Sequence, residues 1–252
     1  MLFRSPKTEF LGYETTSAPT RVIALARGGE RVSRAAAGDE VAVVLAATPF
    51  YGEAGGQVGD TGELRAEGAR VIVENTVKPL PDCIVHRGRV VEGAIAEGDA
   101  VEAVVDRERR LDIARNHTAT HLLHRALRQV LGEHAAQAGS LVSPERLRFD
   151  FSHLAAVAPD ELRRVEAIVN AQIRENRPVS TRVSALDEAM KSGAIALFGE
   201  KYGDQVRVVS VEGFSTELCG GTHLAATGQI GTFMIVSESS VRSGLRRIEA
   251  VT

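Results

Sequence analysis

The feature that most restricts the fold is a set of two short ligand pairs lying far apart in the chain, His117-Thr118-Ala119-Thr120-His121 and Cys219-Gly220-Gly221-Thr222-His223. On a helix, residues at i and i+4 share a face, so His117 and His121 can present both imidazoles to one ion. Cys219 and His223 enclose Gly220 and Gly221, a pair that suits a tight turn more than a helix interior. A turn still brings a thiolate and an imidazole together. One Cys and three His are ligand types that suit zinc. A chain that uses all of them must fold its long intervening segment back onto the first pair. An isolated HxxxH is weak evidence, and the second pair is what raises these histidines above ordinary surface residues. His124 competes for the site at i+3 from His121, but His117 is preferred.

The residues around the first pair are compatible with such a site. Projected at roughly 100° per residue, Ala119, Leu122, Leu123, Ala126, Leu127 and Val130 fill one broad side of a helix. His117, His121, His124 and Arg128 line the other. The apolar side can pack on a sheet, and the histidines are then expected to look into a cleft or solvent.

A chain of 252 residues can form one large domain or two small ones, with a sizeable core in either case. No apolar run reaches membrane-spanning length and no signal peptide opens the sequence. Only two cysteines occur, Cys83 and Cys219, and a disulfide staple is unnecessary at this size. The expected location is the cytoplasm, with no membrane partner. A net charge of −3 provides no overall basic field to steer the chain to nucleic acid. RNA contact would have to come from local clusters: Arg107, Arg109, Arg110 and Arg115, or Arg242, Arg246 and Arg247. Glu108, Asp112 and Glu249 could instead offset those charges on a solvated face.

Residues 1–106 read as β-structure with short turns. Arg21–Ala26, Glu40–Ala47, Ala69–Asn75 and Val101–Asp106 are β-rich, and glycines at 12, 28–29, 38, 68, 88 and 98 punctuate them. A small barrel or sandwich is expected. Within it, Thr48 to Asp60 carries four glycines, enough for a loop whose backbone can approach a ligand closely. Near Asp106–Arg110 the texture changes, and residues 107–252 read as a second domain of mixed α and β. It should contain a helix over Asp106–Leu131, strands over Gln137–Val142 and Arg146–Phe151, and a helix opened by Pro159-Asp160-Glu161. A short helix Leu186–Lys191 follows, then a strand Val206–Val211 that delivers the Cys219 turn. Strands over Ile230–Ser237 and Leu245–Val251 end the reading.

Several chemistries are excluded. The helix has no Glu where HExxH peptidases keep their general base. The Cys-x-x-Cys of base deaminases is also missing. No Ser-His-Asp or Cys-His catalytic set is evident, and four protein ligands are the set of a closed structural zinc site.

Three segments carry a resemblance: Arg115 to His124, Thr216 to His223, and Arg246 to Val251. They resemble the editing domain of alanyl-tRNA synthetase, which is also found in free-standing AlaX proteins and, more distantly, in threonyl-tRNA synthetase. Thr48–Asp60, Gly139–Val142, Leu147–His153 and Ala196–Tyr202 match as well, so the resemblance covers nearly the whole chain. It implies an α+β protein, with an N-terminal small β-barrel followed by an α/β two-layer editing domain with a zinc site. The implied reaction is hydrolysis of tRNA(Ala) wrongly charged with serine or glycine at its acceptor end. By motif matching, His117, His121, Cys219 and His223 become the ligands of one zinc ion per chain. Gln137 becomes a pocket residue, and Thr118, Thr120 and Ser140 are further candidates to meet a substrate hydroxyl. Arg115, Arg246 and Arg247 are the candidate tRNA contacts. Nothing in the chain resembles the class II aminoacylation core. It is therefore expected to be a fragment of a synthetase, with a free-standing editing protein as the alternative. The competing functional class is a tRNA-binding module whose zinc only holds the fold.

Overall fold

The computed structural model describes residues 7–196 and 203–252. Of the Ala196–Tyr202 motif, all but Ala196 lies outside the described residues. Two compact units are present: Met1–Ala54 with Val58–Arg110, and Gly55–Gln57 with Leu111–Thr252.

The first unit is all-β. Its main strands are β1 (Ser17–Arg27), β2 (Glu40–Leu45), β3 (Gly62–Ala66), β4 (Ala69–Leu80), β5 (Cys83–Glu92) and β6 (Ala100–Val105). They pair in the order β6-β3-β4-β5-β2-β1, and β1 then pairs with β6, closing an antiparallel barrel that leaves no free edge among these six. The alternation of Val41-Val43-Leu45, Val71-Val73 and Val101-Ala103-Val105 follows from the two-residue period of a strand, which sends these side chains to one interior. Gly88 is not a turn residue. It lies inside β5, where a Cβ would come 1.8 Å from the Ile72 carbonyl oxygen, so the neighbouring strand can approach only because the side chain is missing.

Arg110, read above as part of an RNA-binding cluster, is buried in this unit. Its Nε lies 2.9 Å from both carboxylate oxygens of Asp60, and Nη1 and Nη2 donate to the carbonyls of Gly12 and Pro49 at 2.9 and 2.7 Å. A buried guanidinium requires such a set of acceptors, and none of its charge is left for phosphate. Arg109 likewise donates to the Gly59 carbonyl.

The second unit is α+β. Helix α1 (Arg107–Leu131) begins in the last residues of the first unit and continues through this one. Then come β7 (Gln137–Val142), β8 (Leu147–Ser152), α2 (Pro159–Arg174), β9 (Val179–Ala185), α3 (Leu186–Lys191), β10 (Gln205–Val211) and β11 (Ser215–Leu218). The final strands are β12 (Met234–Arg242) and β13 (Leu245–Val251). An antiparallel sheet β7-β8-β13-β12 packs its Leu147, Phe149, Phe151 and Ile248 side chains against Leu122, Leu123 and Leu127 of α1 and Val165 and Val169 of α2. Pro159 sits in the first turn of α2, and Glu161 accepts the Ala158 N–H at 2.9 Å, satisfying a donor that the helix itself cannot.

A second antiparallel sheet, β9-β10-β11, supplies the other half of the site. β10 does not deliver Cys219 directly as expected. The chain turns at Gly213, whose φ of +69° suits glycine, and runs back as β11, which ends at Leu218 beside Cys219. The strand expected from Ile230 begins at Met234, because Thr227–Ile230 forms a single 3₁₀ turn.

Candidate metal centre

His117 and His121 stand one turn apart on α1 with their rings stacked, 5.3 Å between centroids and 8° between planes. The apolar face of α1 lies on the sheet as expected. Its opposite face does not look into solvent, since His117, His121 and His124 are 5%, 8% and 1% exposed. β11 and the turn that follows it cover them. From that turn come Cys219 and His223. His121 Nε2 faces His223 Nε2 at 3.0 Å, and Cys219 Sγ faces His117 Nε2 at 3.4 Å. The four donor atoms lie within 4.8 Å of one another, the single such group of three or more among the described residues.

Burial alone would push the Cys219 thiol up, yet His117 and His223 beside it hold it well below its ordinary value, as a thiolate. Burial pushes His223 down to about 3, with His117 adding to the effect. A thiolate and a neutral imidazole are the forms a zinc ligand must take. Burial opposes a charge on His121, but the carboxylate of Glu217 and then Cys219 outweigh it and push the ring up to about 10. A positive charge is thus favoured where two anions converge, and the donor types, their burial and their spacing fit a zinc ion.

The opposite nitrogens of the two helix histidines are also held. His117 Nδ1–H donates to Gln57 Oε1 at 2.7 Å, and that oxygen also accepts the Thr222 N–H at 2.9 Å. Gln57 Nε2 donates to Thr222 Oγ1 at 2.9 Å, which fixes the orientation of the amide. Gln57 belongs to the Gly-rich loop, whose Gly56 carbonyl accepts the Val142 N–H of β7 at 2.8 Å. His121 Nδ1 lies 2.8 Å from Glu217 Oε2. Sequence reasoning missed both Gln57 and Glu217. The glycines flanking Gln57 and the position of Glu217 two residues before Cys219 were the available signals.

Gly221 is required by packing: a Cβ there would lie 2.0 Å from His117 Cε1. Arg207 fastens the turn by donating to the carbonyls of Cys219 and Gly221 at 3.1 and 2.9 Å.

The other expected site residues are distributed as follows. Gln137 opens β7 and donates to Ser140 Oγ at 3.1 Å. Ser140 in turn packs on Gly56, next to Gln57. The hydroxyls of Thr120 and Thr118 donate to the carbonyls of Asn116 and Ala114, both at 2.8 Å, and Thr118 also accepts the Leu224 N–H. The three arginines are all ion-paired: Arg115 with Asp112, Arg246 with Glu238 and Arg247 with Asp150, the last two through both carboxylate oxygens.

The chain is similar to known tRNA synthetases. Residues 206–249, which hold Cys219, His223 and Glu217, match the model of the threonyl and alanyl tRNA synthetase second additional domain. Residues 3–109 match the model of class II (A) tRNA synthetases, on the barrel. Alanine–tRNA ligases of Methylococcus capsulatus and Acetivibrio thermocellus are each 55% identical to the chain, over 97% and 100% of its length. That of Nitrobacter winogradskyi is also 55% identical, over 97%. The chain spans only 28–29% of the length of these relatives. With a relationship running along essentially all of its residues, the chain belongs to the alanyl-tRNA synthetase family.

Proposed function

We propose that this chain is an aminoacyl-tRNA deacylase that binds one zinc ion and hydrolyses tRNA(Ala) wrongly charged with serine or glycine. The observation that carries the reading is the convergence of His117, His121, Cys219 and His223, with donors within 4.8 Å of one another, beside the stretch matched by the second additional domain. On this reading residues 1–106 are a barrel domain and 107–252 the editing domain of a longer synthetase.

When bound, zinc supplies a Lewis acid for an ester carbonyl. The rest falls to the chain's own groups. Gln57 and Glu217 hold two of the donor rings in place. Gln137 keeps its Oε1 to accept a serine hydroxyl, while Ser140 orients its amide nitrogen. The Thr120 oxygen can accept as well. Alanine offers no hydroxyl to these groups, and a site built to hydrogen-bond a hydroxyl discriminates strongly against a substrate that lacks one. Arg115, Arg246 and Arg247 are proposed to meet tRNA phosphates by exchanging a carboxylate partner for a phosphate, so binding should weaken steeply with salt.

A second reading rests on the four protein donors themselves, a full set of the kind found in closed structural sites. In it the chain binds tRNA and zinc only holds the fold. Incubating the zinc-loaded chain with seryl-, glycyl- and alanyl-tRNA(Ala) separates the two. Faster loss of serine and glycine than of alanine supports the esterase. Binding without loss of any amino acid supports the second reading.

A further inference from the structure

Glu217 is the most deeply placed carboxylate near the centre, 1% exposed and two residues before Cys219. It makes three hydrogen bonds. Oε2 accepts from His121 Nδ1 at 2.8 Å, and Oε1 accepts from His124 Nδ1 and Ser215 Oγ, each at 3.1 Å. His124 is itself 1% exposed and packs on Phe149, with ring centroids 5.3 Å apart. Its Nε2 is buried without a partner. With the proton on Nδ1 and given to Glu217, only a lone pair is left unsatisfied there, so this tautomer costs least.

The geometry points to Glu217 as a positioning residue that fixes Nε2 as the metal-facing atom of His121, with His124 acting only through Glu217. This rests on the zinc reading above and extends it to the residues behind the donors. The carboxylate accepts a hydrogen bond from Nδ1–H, so the other nitrogen of His121 carries its lone pair toward Cys219 and His223. A ring held this way cannot rotate to offer Nδ1 instead. A dication, one thiolate and three neutral imidazoles would leave one positive charge in a buried site, the Arg207 guanidinium 3.4 Å from His223 Nδ1 adds a second, and Glu217 supplies a negative charge against them. His124 and Ser215 restrict the carboxylate to the rotamer that does this.

The test is zinc affinity, measured on the full chain by competition with a chromophoric chelator. Circular dichroism reports whether each variant is folded. Glu217→Gln should bind zinc about 10–100-fold more weakly than the wild type, the range found for losing an outer partner of a ligating histidine. His124→Ala should weaken binding less, and the effect should vanish in the Glu217→Gln background, because both act along one path. Should Glu217→Gln fail to fold, ¹⁵N spectra of the zinc-loaded wild type decide: they should show His121 protonated at Nδ1 and metallated at Nε2. Wild-type affinity in folded Glu217→Gln, a His124→Ala effect that persists beside it, or metallation at His121 Nδ1 would overturn the assignment. A wild-type chain that takes up no zinc would overturn the zinc reading itself.

Discussion

Gly221 and Gln137 show what a single side chain decides here. No Cβ fits at Gly221 without displacing the His117 ring, 2.0 Å away. Gly221→Ala is therefore expected to weaken zinc binding by at least tenfold, a loss of about 1.4 kcal/mol, with the fold retained by circular dichroism. Wild-type zinc affinity in that variant would show that the turn yields instead. Gln137→Ala is expected to keep zinc and fold but slow seryl-tRNA(Ala) hydrolysis by about one to three powers of ten, as for loss of one positioned donor. Unchanged hydrolysis in a folded, zinc-loaded variant would remove Gln137 from the site. The four donor residues could be read in the sequence because each pair is local, at i and i+4. The partners of Gln57 and Glu217 could not, because these two residues meet their histidines across 60 and 96 residues. Only the fold creates those contacts.

Individual elements carry two further expectations. In the barrel, His86 on β5 is buried, its Nδ1 3.0 Å from the Val43 carbonyl and its Nε2 2.7 Å from Thr48 Oγ1. Burial pushes it down from 6.5 to about 4, against a smaller opposing effect of the Val43 hydrogen bond. The unfolded chain then binds the extra proton first. The stability His86 contributes is complete above pH 6.5 and is lost as the pH falls toward 4, at a cost of about 3 kcal/mol. Urea midpoints across this range should fall with pH in the wild type and less steeply in His86→Gln. Parallel curves would exclude His86 as the cause. On β13, Arg246 and Arg247 are tied to Glu238 and Asp150, carboxylates that are only 9% exposed. Replacing both arginines with alanine removes the Arg246 partner of Glu238 and leaves Asp150 with Arg148 at 3.8 Å, so Tm should drop, by ~2–4 °C for each kcal/mol lost in a chain of this size. An unchanged Tm, with tRNA affinity alone reduced, would mean that the pairs contribute nothing to the fold.

Elements whose residues repeat in a clear period were legible. The α1 stripe of Ala119, Leu122, Leu123, Ala126 and Leu127 and the bounds of β7, α3 and β13 stand as read from the sequence. β5 was not legible, because Gly88 sits among Arg87 and Arg89 and imitates a turn. β11 was not legible either, since Ser215 to Leu218 has only four residues and its strand character comes from pairing with β10.

At the scale of the whole molecule, strands and helices from distant parts of the chain serve to bring two sequence pairs to one point. Residues 117 and 121 come from a helix buried on both faces, and residues 219 and 223 come from a turn that Arg207 and Gly221 hold against it. Zinc held at that point is proposed to make this chain an esterase. The most direct measurement is the rate of seryl-tRNA(Ala) deacylation by the wild type and by Cys219→Ala, with the zinc content of each determined in parallel. One zinc per chain and rapid loss of serine are expected in the wild type, with both reduced to near background in a folded Cys219→Ala chain. Full deacylation by a folded Cys219→Ala chain that holds no zinc would contradict the proposal.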